Sequence, residues 1–335
     1  MTNKKLLKQI QKKYTNYKLT QTFNEWLNFP NYALNYICSG DFFKGIPKGI
    51  IIELYGEPST GKSYLLNTIL GMIQQAGGYS ELDDVEKRYK KEFGAIAGID
   101  NNELIYLRSK TIKEHFDTTK DTVRDIRKID KTSWIGIALD SLAMLVDAHE
   151  EATRFDKEDM GKKAKNIKKG IRLNFVGEFA DLGVVYIITN HVYSSMSMFG
   201  PAKNTSGGRG VPFEATIRLE TNIKKHIRDE RGNTKGVIFE LVATKNSLTA
   251  PFKKCVIEVD YNRGIKKYSG LADILYRLHT LDKSRKKFNK ADKKAGKYTG
   301  LYFYKDKKFS DDKIKYMIKK YPQLMVIPKP KRREK

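Results

Sequence analysis

The run GEPSTGKS, from Gly56 to Ser63, limits the possible folds of this chain more than any other part of the sequence. It matches G-x-x-x-x-G-K-[ST] in full and stands between the apolar run IIELY and the helical run YLLNTILGMIQQ. In that context the glycines let backbone N–H groups face bound phosphates, and the start of the helix adds positive potential. An ordinary glycine turn is the alternative, which the complete motif in its expected context disfavours. We therefore predict a nucleotide-binding loop formed by Gly56, Glu57, Pro58, Ser59, Thr60, Gly61, Lys62 and Ser63.

Two residues of this loop predict the ligands, ATP and Mg²⁺. Lys62 is placed to reach the β and γ phosphates, and the Ser63 hydroxyl to bind the metal ion. A second metal ligand is predicted in WIGIALDSL, where an apolar strand ends in Asp140 and delivers a carboxylate to the C-terminal edge of the sheet. Aspartate at a strand end is also a common turn former, but after a phosphate loop we assign Asp140 to Mg²⁺, through water.

The segment LDDVE leaves two interpretations open. If it forms the strand after the phosphate-loop helix, Glu86 lies at the same sheet edge and serves as the general base or water-orienting residue, with Asp84 in support. Alternatively, the acidic residues of this segment form a solvated cluster at the start of a helix. The residues by themselves do not choose between these two interpretations.

Downstream of Gly49, short apolar runs alternate with helical stretches, the pattern of a parallel sheet with helices on both faces. Later runs follow one another through turns such as ERGN at 230–233, which predicts an antiparallel extension of the sheet. The predicted fold class is therefore α/β, with a nucleotide-binding core at 31–278, a short N-terminal helical element at 1–30 and a small basic C-terminal domain and tail at 279–335. The predicted strands are Ile50–Tyr55, Leu82–Val85, Leu104–Leu107, Ile135–Leu139, Val184–Thr189, Thr216–Glu220, Gly236–Val242 and Cys255–Val259, and the next helix is Leu271–Leu278.

The net charge of +25 favours a polyanionic partner through the release of counterions. Nucleic acid is the first candidate and an anionic membrane surface the second. The membrane alternative is disfavoured because no apolar run reaches the roughly 18 to 20 residues that span a bilayer, and because the N-terminus lacks a signal-peptide core. We expect a soluble, intracellular protein. Cys38 and Cys255 stand outside any metal-ligand spacing and are expected to be buried and unpaired.

Four segments together resemble the RecA family of DNA recombinases over residues 30–280. They are NYALNYICSGDFFKGIPKGIIIELYGEPSTGKS, the triplet Asp84-Val85-Glu86, ITNHVYSSMSMFGPAKNTSGGRGVPFEATIRLE and LVATKNSLTAPFKKCVIEVDYNRGIKKYSGLADIL. The pair Asn190-His191 and the stretch EDMGKKAKNIKKGIRLNF are most similar to phage UvsX-like members, since bacterial RecA has Asn-Gln at the first place. Departures from bacterial RecA are Ser247 in place of a lysine and a basic C-terminal tail in place of an acidic one.

This resemblance implies roles for particular residues. Glu86 falls at the family's catalytic glutamate, and Asn190 and His191 at its sensor of the γ phosphate. A core histidine is the alternative for His191, disfavoured by its place at a strand end. Lys245 corresponds to a lysine that reaches the γ phosphate bound by the neighbouring subunit; the alternative is a lysine that covers the strand end with its apolar stem. Tyr89 is the candidate for stacking on adenine.

The segment 192–213 is similar to the family's second DNA-binding loop, although its composition alone is typical of a mobile surface loop. An aromatic ring for stacking, cations for phosphates and glycines for close approach are the features expected of such a loop. The predicted DNA-binding residues are Phe199, Lys203, Gly207, Gly208 and Arg209. Further candidates are Arg154 and Lys157 in the place of the first DNA loop, the run Lys162–Arg172, and the lysine-rich and aromatic stretch 283–304, where we expect duplex DNA to be captured.

The resemblance implies a RecA-like P-loop NTPase core and an ATP-dependent DNA recombinase, a DNA-dependent ATPase that forms helical homo-oligomeric filaments on single-stranded DNA. It would catalyse homologous pairing and strand exchange with double-stranded DNA, in the cytoplasm of a bacterium or of a phage-infected host. Single-strand-binding and mediator proteins are implied as further partners. Two alternatives are a RecA-like hexameric helicase or motor, disfavoured by MFG…SGG and TKN…APF, and a non-catalytic DNA-binding mediator that uses ATP as a structural ligand, disfavoured by Glu86 beside an intact phosphate loop.

Overall fold

The protein is described by a computed structural model. It covers residues 23–147, 160–194, 203–205, 208, 210–278, 282–283, 301–304, 307–310 and 313–327, with 5, 6, 8, 9 and 12 near the N-terminus. Most of the predicted N-terminal element lies outside these residues. Leu6, which is included, is helical and half exposed.

The described chain alternates strands and helices as far as β7, and strands dominate after it. The strands are β1 (Trp26–Leu27), β2 (Ile46–Pro47), β3 (Ile50–Gly56), β4 (Tyr79–Asp84), β5 (Leu104–Leu107), β6 (Ile135–Asp140), β7 (Val184–Ser194), β8 (Lys203–Thr205), β9 (Ile217–Arg228), β10 (Thr234–Asn246), β11 (Lys254–Asp260), β12 (Gly264–Ile265), β13 (Asp282–Lys283), β14 (Leu301–Tyr304) and β15 (Lys307–Ser310). The α-helices are α1 (Tyr32–Ser39), α2 (Lys62–Gln75), α3 (Lys91–Ile96), α4 (Ile112–Ile129), α5 (Met160–Ile171), α6 (Gly210–Glu214), α7 (Leu271–Arg277) and α8 (Ile314–Lys320), and a π-helical stretch, Arg172–Phe179, continues α5.

A ten-stranded sheet carries the nucleotide-binding motif. Its order is β12-β11-β10-β9-β3-β7-β6-β4-β5, with β8 paired to β7 off this path. Neighbours from β9 to β5 run parallel, whereas β9, β10, β11 and β12 run antiparallel to one another. The α/β fold with a parallel sheet and an antiparallel extension is therefore confirmed.

Helices cover both faces of the sheet, as the alternation of side chains along β3 shows. Ile50 and Ile52 belong to one apolar cluster, with α1, α2 and α7. Ile51, between them, belongs to a second cluster with α4, α5 and the π-helical stretch. Successive side chains of a strand point to opposite faces, so these two clusters are the two sides of one sheet.

Strands β9 and β10 extend well beyond the apolar runs that predicted them. Beyond Glu220, β9 is mostly polar, and residues 222–228 are exposed or half-buried. Strand β10 adds the exposed Thr234 and Lys235 before its predicted start and residues 243–246 after its predicted end. Cross-strand pairing continues to Arg228 opposite Thr234, and the turn is closed by Asp229, whose carboxylate accepts hydrogen bonds from the backbone N–H groups of Arg231 and Asn233. Gly232 supplies the left-handed conformation, φ +86°, that this turn requires.

The remaining predictions about the fold have mixed outcomes. Cys38 and Cys255 are fully buried and unpaired, as predicted. The run Lys162–Arg172 is helical; its basic residues are exposed except for the half-buried Lys163, while Ile167 and Ile171 are buried in the core. Within the covered ranges, no helix is long and apolar enough to cross a bilayer. In the C-terminal part, Ile314, Met317 and Leu324 join the same apolar cluster as α7, and the domain limits remain predictions.

Candidate functional site

The phosphate loop connects the end of β3 with the start of α2. Ser59 and Gly61 both adopt left-handed backbone conformations, at φ +62° and +87°. A side chain at Gly61 would also collide with the ring of Phe239 on β10, because an added Cβ would lie 2.4 Å from Cζ. Thr60 ties the loop to the sheet, since its hydroxyl lies 2.7 Å from the Thr221 hydroxyl on β9, and it also donates to the carbonyl of Glu57 within the loop at 2.7 Å. Positive φ and close approach together explain why this loop needs glycine.

Lys62 lies beneath the loop and is almost fully buried. Its Nζ donates to the carbonyl oxygens of Gly56 at 3.0 Å and Glu57 at 2.8 Å. Burial lowers the pKa of this ammonium, and the negative charges of Asp140 and Glu86 oppose that effect. The predicted phosphate-binding cation therefore lies in one electrostatic environment with the predicted metal ligand Asp140 and the predicted catalytic residue Glu86.

Asp140 ends β6 and faces the start of α2. Its carboxylate accepts hydrogen bonds from the hydroxyl groups of Ser63 and Thr189. Burial raises the pKa of the Asp140 carboxyl against these hydrogen bonds. The donor set fits Mg²⁺, which prefers hard oxygen ligands and completes its shell with water and substrate phosphates. Consistent with such a sparse site, no group of three or more His, Cys, Asp and Glu side chains that could hold a metal ion occurs among the described residues.

Glu86 follows β4 and is held by donors on both carboxylate oxygens. Its Oε1 accepts from the Ser141 hydroxyl at 2.7 Å and from His191 Nε2 at 2.9 Å, while Arg88 Nη1 lies 2.9 Å from Oε2. Because an ionised carboxylate only accepts, His191 is the donor in its contact. Burial alone would raise the pKa of Glu86, but the hydrogen bonds from Ser141 and His191 and the charge of Arg88 bring it below its ordinary value. At neutral pH Glu86 is therefore an anion at the mouth of the phosphate site.

The two aspartates before Glu86 have structural partners. Asp84 accepts from the backbone N–H groups of Arg88 at 3.1 Å and Tyr89 at 2.9 Å, and from the Tyr106 hydroxyl at 2.7 Å. Asp83 is fully buried in the opposite direction, against α4. The predicted solvated acidic cluster is thus absent at these two positions, because both carboxylates are buried and hydrogen-bonded.

Asn190 and His191, the predicted sensor pair, lie at different depths on β7. His191 lines the same cavity as the phosphate loop. Asn190 is fully buried: its Oδ1 accepts from the backbone N–H of His191 at 2.9 Å, and its Nδ2 donates to Glu53 Oε1 at 3.1 Å. Glu53 in turn pairs with Arg218 on β9. The Asn190 side chain therefore contacts the sheet interior, and His191 is the member of the predicted pair that lines the cavity.

A cavity of about 700 Å³ extends from the phosphate loop to the antiparallel strands. Tyr89, the predicted adenine-stacking residue, lines it together with Tyr261 at the end of β11. The Tyr89 hydroxyl donates to Asn101 at 2.7 Å, and burial raises the pKa of Tyr89 to about 12, which keeps this phenol protonated. The cavity thus offers aromatic surface at one end and the phosphate loop at the other, as a nucleotide requires.

Lys245, near the end of β10, lies outside this cavity. Its Nζ donates to the carbonyl oxygens of Pro212 at 2.9 Å and Phe213 at 2.5 Å on α6. Burial lowers the pKa of Lys245, and the positive charge of Arg218 adds to that effect. Within a single chain, the ammonium is held against α6 and away from its own phosphate loop.

The predicted DNA-binding segment begins where the nucleotide site ends. Strand β7 runs from the core through His191 to Ser194 and pairs there with β8, so Lys203 lies opposite Ser194. Gly208 is exposed and left-handed at φ +62°. Phe199, Gly207 and Arg209 lie outside the described residues, as do Arg154, Lys157 and most of 283–304.

Several residues of the site were not predicted from the sequence. Ser141 follows the predicted Asp140 in sequence, and Thr189 precedes the predicted Asn190. This adjacency is the sequence feature that could have identified them. Arg88, Glu53 and Tyr261 carried no motif, because their contacts depend on chain segments that meet only in the folded protein.

A phosphate loop, a strand-end aspartate and a glutamate–histidine pair at one edge of a parallel sheet define a P-loop nucleotide-binding protein. The model of the RecA N-terminal domain matches residues 4–266. The chain therefore belongs to the RecA family, whose members are DNA recombination and repair proteins.

Curated relatives support the same assignment. The chain is 26% identical to Protein RecA of Cytophaga hutchinsonii over 287 residues, 85% of this chain and 79% of that protein. It is 27% identical to Protein RecA of Herpetosiphon aurantiacus over 278 residues, 82% of this chain and 75% of that protein. It is 28% identical to Protein RecA of Mycoplasma mycoides over 254 residues, 75% of this chain and 71% of that protein.

Proposed function

We propose that this chain is an ATP-dependent DNA recombinase, which assembles as a helical filament on single-stranded DNA and catalyses pairing and strand exchange with a homologous duplex. One observation carries this proposal. His191 contacts Glu86 in the nucleotide site, and β7 continues from His191 into the β7–β8 hairpin of the predicted DNA-binding segment. A single strand thus joins the site of hydrolysis to the surface that would bind DNA.

Each residue of the site has a role in ATP hydrolysis. Lys62 compensates the charge of the β and γ phosphates, and the bound Mg²⁺, held by Ser63 and Asp140, would neutralise further phosphate charge. Glu86 orients the attacking water and accepts its proton, because its carboxylate is ionised and lines the same cavity. His191 detects the γ phosphate from its position beside Glu86.

Lys245 supplies the corresponding cation to the next subunit of the filament. Its position outside its own cavity supports a role in trans. The α6 carbonyl oxygens that Lys245 contacts are neutral acceptors, which a phosphate anion would replace. A cation that arrives only when subunits stack would stabilise negative charge in the transition state and make hydrolysis depend on assembly.

The finer assignment is a phage recombinase of the UvsX-like type, acting in the cytoplasm of a bacterium or infected host. Asn190-His191 supports it, where bacterial RecA has Asn-Gln. The net charge of +25 supports contact with both single-stranded and double-stranded DNA. Single-strand-binding and mediator proteins are proposed as further partners. The proposed domain limits are 1–30 for the N-terminal element, 31–278 for the core and 279–335 for the C-terminal domain.

Electron microscopy with single-stranded DNA and a non-hydrolysable ATP analogue tests the assembly directly. We expect helical filaments in the presence of the analogue and none without it. Closed hexameric rings would instead identify a helicase or motor, and strand exchange measured in parallel separates a recombinase from a DNA-binding mediator.

Glu86→Gln tests the catalytic assignment. We expect this variant still to bind ATP and to assemble on DNA but to hydrolyse ATP about 100-fold more slowly, the scale for loss of a general base. Glu103→Gln is the matched control, because Glu103 is exposed and lies outside the cavity. Equal turnover by the two variants would remove Glu86 from the mechanism.

A further inference from the structure

At the edge of the nucleotide site, the backbone of Arg88 is held in place, whereas its side chain is largely exposed. Lys87 adopts a left-handed conformation, φ +55°, that turns the chain back after β4. Asp84 holds the turn by accepting from the N–H groups of Arg88 and Tyr89. The Arg88 side chain, in contrast, is 80% exposed. A cation is therefore presented at a defined point but remains free to reorient.

The present partner of this cation is the proposed catalytic base. Glu86 Oε1 accepts hydrogen bonds from Ser141 and His191, so Oε2 is the oxygen that could bind a water molecule. Arg88 Nη1 lies 2.9 Å from this oxygen. A carboxylate that accepts from three donors is a poorer base and a poorer acceptor for water than one with a free oxygen. In this conformation Glu86 is therefore less able to orient a water molecule or to accept its proton.

Arg88 also has access to the ligand. It lines the same cavity as Lys62, Ser63 and Asp140, where the phosphates are expected. A guanidinium binds phosphate oxygens as well as carboxylates, and a terminal phosphate offers more negative charge than one carboxylate. The Glu86 carboxylate is only 12% exposed, but Arg88 is 80% exposed and can exchange this contact for solvent or phosphate at modest cost.

Building on the proposed ATPase function, we propose that Arg88 is a phosphate-operated latch on Glu86. Without nucleotide, Arg88 holds Oε2 and restrains the base. A γ phosphate draws Arg88 away, which frees Oε2 to orient water. ADP lacks that phosphate and leaves the latch closed. The equilibrium shifts because the triphosphate interacts with Arg88 in the open state and not in the closed one.

Arg88→Gln, Arg88→Lys and the control Lys91→Gln test the latch in the full-length chain. Lys91 is exposed, begins α3 and lies outside the cavity lining. For Arg88→Gln we expect affinity for a non-hydrolysable ATP analogue to fall about ten-fold, since a charge-assisted contact is lost, while ADP affinity stays unchanged. The kcat of DNA-free hydrolysis should rise about two- to five-fold, because the fraction of ATP-bound protein in which the latch is still closed disappears. Arg88→Lys keeps the charge and should restore both values.

Glu86→Gln provides a readout that needs no turnover. With the carboxylate neutralised, Arg88 no longer has a competing anion, so analogue affinity should rise about three-fold and ADP affinity should not. In the double variant with Arg88→Gln this gain should disappear, as required for two residues that act through each other.

The outcomes of these experiments distinguish a failure of the proposed latch from a failure of the proposed ATPase function. If the wild-type protein hydrolyses ATP and Arg88→Gln behaves like Lys91→Gln, only the latch is refuted. A fall in kcat at unchanged analogue affinity also refutes it, because Arg88 would then assist Glu86. If the wild-type protein neither binds nor hydrolyses ATP, the proposed function fails and the latch with it.

Discussion

A buried network behind the site predicts a large loss of stability from one substitution, His115→Ala. Asp83 on β4, His115 on α4 and Tyr186 on β7 are all excluded from solvent. His115 Nδ1 lies 2.7 Å from Asp83 Oδ2, His115 Nε2 lies 2.7 Å from the Tyr186 hydroxyl, and Asp83 Oδ1 accepts from the Ser109 backbone N–H at 2.8 Å. The network ties a helix to two strands of the sheet.

The magnitude follows from what each substitution leaves unpaired. Burial alone would raise the pKa of Asp83, but the hydrogen bond and charge of His115 and the Ser109 donors lower it below its ordinary value, so Asp83 is ionised in the folded protein. His115→Ala leaves that charge buried with only Ser109 as partner, and we expect a loss of about 3–5 kcal/mol in the free energy of unfolding. Tyr186→Phe removes one buried hydrogen bond and should cost about 1–3 kcal/mol.

The pH dependence has a definite sign. The pKa of Asp83 is lower in the folded state than in the unfolded state, so the network contributes stability at pH values above the unfolded pKa of about 3.9 and loses it as the pH falls through the folded pKa. The difference between wild type and His115→Ala should therefore be full at pH 7 and shrink below about pH 4.

Urea unfolding followed by circular dichroism measures these differences. Lys113→Ala, two residues earlier and on the exposed side of α4, is the control and should change stability by less than about 0.5 kcal/mol. Asp83→Asn added to His115→Ala should recover part of the loss, since no charge is then buried. A loss of under about 1 kcal/mol for His115→Ala, or no recovery in the double variant, would refute the reasoning.

Two further predictions concern assembly and DNA. Lys245→Ala should bind ATP but lose DNA-stimulated hydrolysis. Mixing it with Lys62→Ala should restore ATPase activity, because some interfaces then combine an intact phosphate loop with an intact Lys245. If the mixture co-assembles but its ATPase activity never exceeds the sum of the separate variants, a role in trans is excluded. Phe199→Ala with Arg209→Ala should weaken binding to single-stranded DNA, by about 1–3 kcal/mol for the lost stacking, while leaving DNA-free ATP hydrolysis intact. Equal loss of both activities would place these residues in the nucleotide site.

The residues that a contiguous motif encodes were predictable from the sequence. The phosphate loop needs a strand, glycines and a helix start within a few residues, so local spacing predicts both its conformation and its ligand. Asp140 follows from the same logic, because parallel strands end at one edge of the sheet, whereas Glu86 was assigned only through the resemblance to the RecA family. The antiparallel extension was predicted as well, but residues 221–228 of β9 and the two ends of β10 were missed, since cross-strand pairing rather than hydrophobicity holds them.

The roles of neighbouring acidic residues were decided only by the tertiary structure. Asp83 and Asp84 are adjacent in sequence, but successive side chains of a strand face opposite sides of the sheet. Asp83 therefore meets His115, 32 residues away, whereas Asp84 holds the turn that presents Arg88. The sequence pattern shows that successive residues of a strand face opposite sides of the sheet. It does not show what each side contacts, because that depends on where helices distant in the sequence pack.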